Sequence, residues 1–258
     1  MITLHVLGSG SRGNCIALAA DGAVLLVDAG FSAREIERRA AIAGLDLSLL
    51  IGIVLTHEHG DHAAGAPRLA ERHRVPILAS PGTWSGLRTG RGTCHVPIGL
   101  TASSEIGPFR VVACPTVHDA AEPVAVAVRT ASGAGVGVAY DLGRPTTPVR
   151  YLLRDMSAIV LEANHDEIML RTSGYPASVR QRIAGSGGHL SNRAAAELLV
   201  ESCHPGLGAV VLAHLSLQCN TELLARAAVD PPLRQAGFRG ELYVARQEEP
   251  LAPITVGH

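Results

Sequence analysis

The segment "LTHEHGDH" at residues 55–62 sets three imidazoles and a carboxylate, those of His57, His59, His62 and Asp61, within six residues. It follows directly on the apolar run "LIGIVLT", which reads as a short buried strand. The H-x-H spacing sends two imidazoles from an extended segment towards one point. Asp61 and His62, one turn on at the start of a helix, face a second. Nitrogen and carboxylate donors of this kind suit zinc, manganese or iron. Six residues cannot close two metal sites, so the fold has to bring further donors to the same place from distant strand ends.

Three residues meet that requirement. His118 ends "VVACPTVH", Asp141 ends "VGVAYD" and His214 ends "AVVLAH". Each follows an apolar run and is expected to project at the same edge of a sheet. One strand-end histidine alone reads as structural; three such residues with a four-donor cluster upstream read as ligands.

The rest of the chain supplies strands and helices in alternation. "ITLHVLG", "CIALAA" and "AVLLVDAG" are short strands, with "DG" at 21–22 as the hairpin turn between the last two. "SAREIERRAAIAG" has a serine start and a terminal glycine, the marks of a helix. "HAAGAPRLAERH" is a helix whose proline delays its regular start. "VPILAS", "FRVVACPTV", "PVAVAVRT", "GVGVAYD", "AIVLEAN" and "AVVLAHL" are further strands, and "SNRAAAELLVESC" a helix. The glycines of "ASGAGVG" lack the strand-turn-helix context of a dinucleotide site and read as a hairpin turn. The expectation is one domain over residues 1–258, with two sheets between helices.

Composition narrows the partners. Aromatic residues make up 3% of the chain and the formal net charge is -1, so neither a base-stacking groove nor a broadly basic surface is expected. All 22 basic residues are arginine, a side chain suited to phosphate where a few converge. The five cysteines, an odd number without a CxxC pair, suit a reducing compartment. No basic leader with a long apolar core and no apolar run of about 18 residues is present, so a cytoplasmic protein without a membrane span is expected.

The order T-H-x-H-x-D-H, then His118, Asp141 and His214, resembles the metallo-β-lactamase superfamily over nearly the whole chain. The resemblance implies an α/β fold, the αββα four-layer sandwich with two mixed β-sheets flanked by helices. It also implies two divalent metal ions, zinc first, with manganese or iron as alternatives. By position His57, His59 and His118 hold the first, Asp61, His62 and His214 the second, and Asp141 bridges them. An aspartate at 141, where true β-lactamases differ, fits the phosphodiesterase-like and hydrolase branches. "LGSGSRGNC", "VHDAAEPVAV", "AYDLG", "LEANHDEIML" and "GGHLSN" are similar to the YycJ (WalJ) branch, described as exonuclease-like and related to tRNase Z. Arg12 and Cys219 depart from that branch without touching an expected ligand. Residues for the inserted domain of larger nucleases, or for the long arm that grips tRNA, are missing.

In tRNase Z-like enzymes a strand glutamate and the histidine of a G-H-[ST] loop form a proton-donating dyad. Glu162 in "LEANHD" and His189 in "GGHLSN" match those two places. A carboxylate that orients an imidazole raises its pKa and makes a competent general acid near neutral pH. The implied reaction is hydrolysis of a phosphodiester in DNA, RNA or a small molecule. Water activated between the metals attacks phosphorus, Asp61 aligns it, and His189 protonates the departing oxygen. The alternative is a thioester or lactone hydrolase on the same fold, which needs no such dyad.

Expected substrate contacts are Ser9, Ser11 and Asn14, in a glycine-rich loop that either offers N–H groups to phosphate or is a plain turn. Arg144 and Arg182 are further candidates. His165 and Asp166 either line the groove or brace the Glu162 strand. His5, His73, His95, His204 and His258 read as structural or surface residues.

Overall fold

The structure is a computed structural model that describes residues 1–89, 93–99 and 103–257; His258 lies outside them. Two seven-stranded sheets stack face to face. The first contains β1 (Ile2–Gly8), β2 (Cys15–Ala20), β3 (Ala23–Val27), β4 (Leu50–Val54), β5 (Ile77–Ala79) and β6 (His95–Pro97) in sequential order. The second runs from β7 (Ser104–Ile106) and β8 (Phe109–Pro115) through β9 (Val124–Thr130), β10 (Gly135–Ala139), β11 (Ala158–Glu162) and β12 (Ala209–Ala213) to β13 (Glu241–Val244). The chain then returns to the first sheet, where β14 (Ile254–Val256) pairs with β1.

Each sheet changes from antiparallel to parallel pairing part-way across. In the first, β14, β1, β2 and β3 pair antiparallel, and β3 to β6 parallel. In the second, β7 to β10 pair antiparallel and β10 to β13 parallel. The parallel strands therefore end at one edge of each sheet, where loops emerge side by side.

Helices cover both outer faces: α1 (Ala33–Ile42), α2 (Gly60–Ala63), α3 (Ala66–His73) and α4 (Pro81–Gly86), then α5 (Thr147–Leu152), α6 (Glu167–Thr172), α7 (Ala177–Ala184), α8 (Asn192–Ser202) and α9 (Glu222–Gln235). Ser32 caps α1 by accepting from the Glu35 N–H, and Ser191 caps α8 by accepting from that of Ala194. The expected helix over 62–73 is split into α2 and α3 around Gly65, with Pro67 in the first turn of α3.

The period-two pattern of the strands makes three apolar layers. Val124, Val126 and Val128 point between the sheets to meet Leu4, Ile16, Leu18 and Leu25. Ala125 and Ala127, on the opposite face of the same strand, pack outward with Leu161, Leu198 and Leu199. Leu26 and Ile53 face Ile36 and Leu69 on the other side. Strands buried on both faces explain why the sequence shows continuous apolar runs where alternation would mark a half-exposed sheet. The order of layers is α, β, β, α. Among the described residues, no helix is long and apolar enough to cross a membrane.

Candidate metal centre

The donors gather where the parallel strands end. The loop after β4 carries His57, His59, Asp61 and His62; the loop after β8 carries His118; Asp141 and His214 follow β10 and β12; Glu162 is the last residue of β11. His57, His59 and His118 form one group whose donor atoms lie within 4.8 Å of one another. Asp61, His62 and His214 form a second on the same measure, and Asp141 joins His57 and His62 in a third. The Asp141 carboxylate lies 2.9 Å from His62 Nε2 and 3.5 Å from His57 Nε2, between the two groups.

Several features fit divalent cations. His57 Nε2 and His214 Nε2 are buried without a hydrogen-bond partner in the protein, although both rings belong to the donor groups. An unmet buried polar atom costs about 1–3 kcal/mol, which a metal ion would offset. The distal nitrogens of other donors are already held. His118 Nδ1 donates to the Gly188 carbonyl at 3.2 Å, and His62 Nδ1 to Asp28 Oδ2 at 2.7 Å, the outer contacts that orient ligating imidazoles.

Burial and neighbouring charges pull against each other throughout the cluster. Burial disfavours the charged form of His62, but the Asp28 and Asp141 carboxylates outweigh it and hold the imidazole up to about 10. Burial also opposes ionisation of Asp61, yet His214 and His62 hold its carboxyl down to about 2. His57 and His118 lie on the other side of the balance, pushed down by burial.

Beside the donors, His189 Nδ1 lies 2.7 Å from Glu162 Oε1 and 3.0 Å from Asp141 Oδ1. Burial opposes its charge, and the Glu162 and Asp141 carboxylates raise it to about 9. Glu162 is fully buried, and its Oε2 accepts from the Leu142 and Leu190 N–H groups. His189 is half-buried and lines a cleft of about 220 Å³ together with His59, Asp61, His118, Asp141 and His214.

The sequence profile of a β-lactamase superfamily domain matches residues 24–215, which include every donor named above. The chain is 32% identical to the exodeoxyribonuclease YycJ of Bacillus anthracis over 97% of each chain. The chain belongs to the metallo-β-lactamase superfamily. It is also 29% identical to the exodeoxyribonuclease WalJ of Streptococcus pneumoniae, over 90% of this chain and 88% of that one. The crystal structure of Zn(2+)-bound PqqB from Methylobacterium extorquens superposes with a TM-score of 0.70 and 17% identity, over 96% of this chain and 99% of that one, a likeness of fold. Fold and donor set together are those of a metal-dependent hydrolase.

Within this metallo-β-lactamase scaffold one residue escaped sequence reasoning. Asp28, fully buried at the end of β3, accepts from the Thr56 N–H at 2.8 Å and holds His62. Its signal was present, since "AVLLVD" ends as "VGVAYD" does. Asp28, Asp141 and His214 all have left-handed backbones, with φ of 60°, 49° and 53°. Three strand-end residues turned this way at one edge aim their side chains back across the sheet ends, a conformation that only firm surroundings maintain.

The expected substrate contacts separate into two groups. Ser11, at the loop tip, and Arg182 line the metallo-β-lactamase cleft. Ser9 and Asn14 are buried, with their side chains committed to the fold. Ser9 Oγ donates to Asn14 Oδ1 and accepts from the His214 N–H, while Asn14 Nδ2 donates to the Gly10 and Asp61 carbonyls. These two shape the site from beneath. Gly30 presses its backbone so closely on the Asp61 carbonyl that a Cβ there would collide with it. Asp166 caps α6, accepting from the Ile168 and Met169 N–H groups. His165 braces by its backbone, accepting from the Asn192 N–H, while its ring and Arg144 line cavities beyond His189. Of the remaining histidines, His95 stacks on Trp84 and His204 reaches the Met156 carbonyl.

Proposed function

We propose that the protein is a metal-dependent phosphodiesterase, a nuclease that shortens DNA from an end. The observation that carries this reading is the 2.7 Å contact between His189 Nδ1 and Glu162 Oε1 at the wall of the metal cleft. The relatives from Bacillus anthracis and Streptococcus pneumoniae, each named an exodeoxyribonuclease and matched over most of the chain, support DNA as the polymer.

Two divalent cations, one held by His57, His59 and His118 and one by Asp61, His62 and His214 with Asp141 between them, would supply Lewis-acid activation of water and neutralise phosphoryl charge. Zinc is the first expectation, on the nitrogen-rich donor set and the zinc-bound structural relative. Asp61, whose carboxylate reaches the cleft, accepts a hydrogen bond from the attacking water and aligns it. Ser11 and Arg182 steady the phosphodiester from the cleft wall.

His189 carries the proton that the departing sugar oxygen requires. Its Nδ1 faces Glu162, so Nε2 is left for the substrate. Without metal the neighbouring Glu162 and Asp141 carboxylates outweigh burial and raise the ring to about 9, and the Glu162 contact leaves Nε2 to donate as the P–O bond breaks. One water is consumed: its oxygen stays on phosphorus, and a proton departs on the sugar oxygen. A thiol, with a pKa of about 8.5, leaves as an anion without such help, so the dyad favours a phosphodiester over a thioester.

The test is turnover of a 5′-labelled DNA duplex and of bis(p-nitrophenyl) phosphate by metal-loaded wild type and His189→Ala, with bound metal counted in both. Nitrophenolate hardly needs a proton. The variant is expected to keep its metals and lose about 100-fold or more on DNA, with a much smaller loss on the nitrophenyl ester. Wild type that cleaves neither but opens a thioester or lactone overturns the reading.

A further inference from the structure

The cleft at the metal centre does not end at His189. A second cavity of about 310 Å³ shares His189 with it and is lined by Arg144, His165, Ser191 and Arg193; no metal-centre donor reaches it. A third, of about 250 Å³, shares His165 and Glu167 with the second and is bordered by Arg171 and Arg180. The shared residues set the three cavities side by side, in a line that starts at the donors, passes His189 and runs out between α6 and α7.

Two side chains in this groove are placed without a task in the fold. His165 is 3% exposed, and its Nδ1 has no hydrogen-bond partner. Its backbone is fixed by a bridge to Ser191 and by the bond from the Asn192 N–H, so the ring is held in place with that nitrogen unmet. Arg144 is exposed, at the end of a stretch whose backbone is pinned twice. The Leu142 N–H donates to Glu162 Oε2, and the Gly143 N–H to the Val117 carbonyl. The acidic residue nearby, Glu167, has an oxygen engaged by Ser191 Oγ at 3.0 Å and by Arg193 Nη2 at 3.1 Å, which neutralises it locally.

Direction follows from the reaction, and this step rests on the phosphodiesterase reading above. The donor of the leaving proton must touch the leaving oxygen. With the scissile phosphate at the metal centre, the departing sugar lies against His189, and whatever is attached to that sugar continues into the second cavity. We propose that this groove is the leaving-fragment subsite, in which Arg144 grips the first phosphate beyond the scissile bond and His165 Nδ1 hydrogen-bonds to the nucleotide that carries it. Cavities of this size stand near the lower end of the range for small-molecule sites, so each takes about one nucleotide of a single strand. The preferred substrate then carries an oligonucleotide on the leaving side, and a lone nucleoside there is a poor one.

The test uses the full chain in two ways. Metal-loaded enzyme is given single-stranded DNA substrates that gain nucleotides one at a time on the leaving side. Wild-type kcat/KM is expected to rise about 10-fold with the first added phosphate, chiefly through KM. Arg144→Ala and His165→Gln are expected to abolish that rise, and Arg144→Lys to keep part of it. In parallel, chelator-treated protein is titrated with fluorescein-labelled oligothymidylates, where Arg144→Ala is expected to weaken binding about 10-fold. An equal rise with length in wild type and Arg144→Ala, with equal binding, overturns the groove assignment and leaves the phosphodiesterase reading standing. Failure of wild type to cleave any phosphodiester overturns both.

Discussion

The backbone N–H of His214 donates to the hydroxyl of Ser9, 2.8 Å away, and so ties the loop after the first strand to a donor 205 residues further on. On its other side the His214 carbonyl accepts from Asn164 Nδ2 at 3.0 Å. Between them these bonds hold a left-handed residue whose conformation costs on the order of 1–2 kcal/mol. Ser9→Ala leaves the buried N–H unpaired, at about 1–3 kcal/mol, and loosens the turn that aims the imidazole. On the two-cation reading proposed above, bound metal after dialysis is expected to fall from two ions per chain towards one, with the far-ultraviolet circular dichroism unchanged.

Asp28 acts one step further out. Replacing it with Asn removes the charge that holds His62 Nδ1, and outer partners of this kind typically contribute 10- to 100-fold in metal affinity. Competition with a chromophoric chelator measures the change. Unaltered affinity in Asp28→Asn would falsify the role given to this carboxylate.

The donor histidines predict how metal and proton compete. In the metal-free protein His62 is held up to about 10 and His189 up to about 9, so both rings are charged at pH 8. A ligating imidazole must be neutral, so metal uptake at that pH expels protons. Calorimetric titrations in two buffers of different ionisation enthalpy should give different apparent heats, with at least one proton released per chain.

The same shifts set a stability profile without metal. A histidine raised above its usual 6.5 contributes stability that is complete below that pH and is lost as pH rises through the folded value. For His189 and His62 the loss falls between about 6.5 and 9 to 10. His57 and His118, lowered by burial, act oppositely and withdraw support as pH falls below 6.5. Chelated protein should therefore melt at a lower temperature at pH 9.5 than at pH 7, and added zinc should restore more at the higher pH.

Gly143 lies so close to the Ser186 carbonyl that a Cβ would collide with it. Gly143→Ala pushes on the loop that leads to His189 without touching a donor. Activity on DNA is expected to drop about 10-fold or more while metal content stays level, as a misplacement of about 1 Å far from the chemistry can do.

Much of this arrangement is legible in the sequence because one rule repeats: an apolar strand ends in a residue with donor atoms. His118, Asp141 and His214 follow that rule, and so does Asp28, which went unread because "AVLLVDAG" reads as strand through to its end. Ser9 and Asn14 illustrate the opposite limit. A glycine-rich loop with hydroxyl and amide side chains looks the same whether those groups face a ligand or hold a neighbouring loop, and only the partners at 2.7–3.3 Å decide. The three-residue strands β5, β6, β7 and β14 differ in legibility for a similar reason. "VPILA" is an apolar run, whereas β6, β7 and β14 are edge strands too short to display a period. The pairing of β14 with β1 has no local signature at all.

The loop that carries Ser11 takes its shape from Gln247: the Arg12 N–H donates to Gln247 Oε1 at 2.7 Å, and Gln247 Nε2 donates to the Gly13 carbonyl at 3.0 Å. Arg39, buried beneath, donates to both the Leu7 and Gln247 carbonyls. The wall of the cleft that Ser11 lines is thus closed by bonds that span 235 and 234 residues of sequence. Contacts of that range come slowly to a folding chain, so this wall of the cleft should order late.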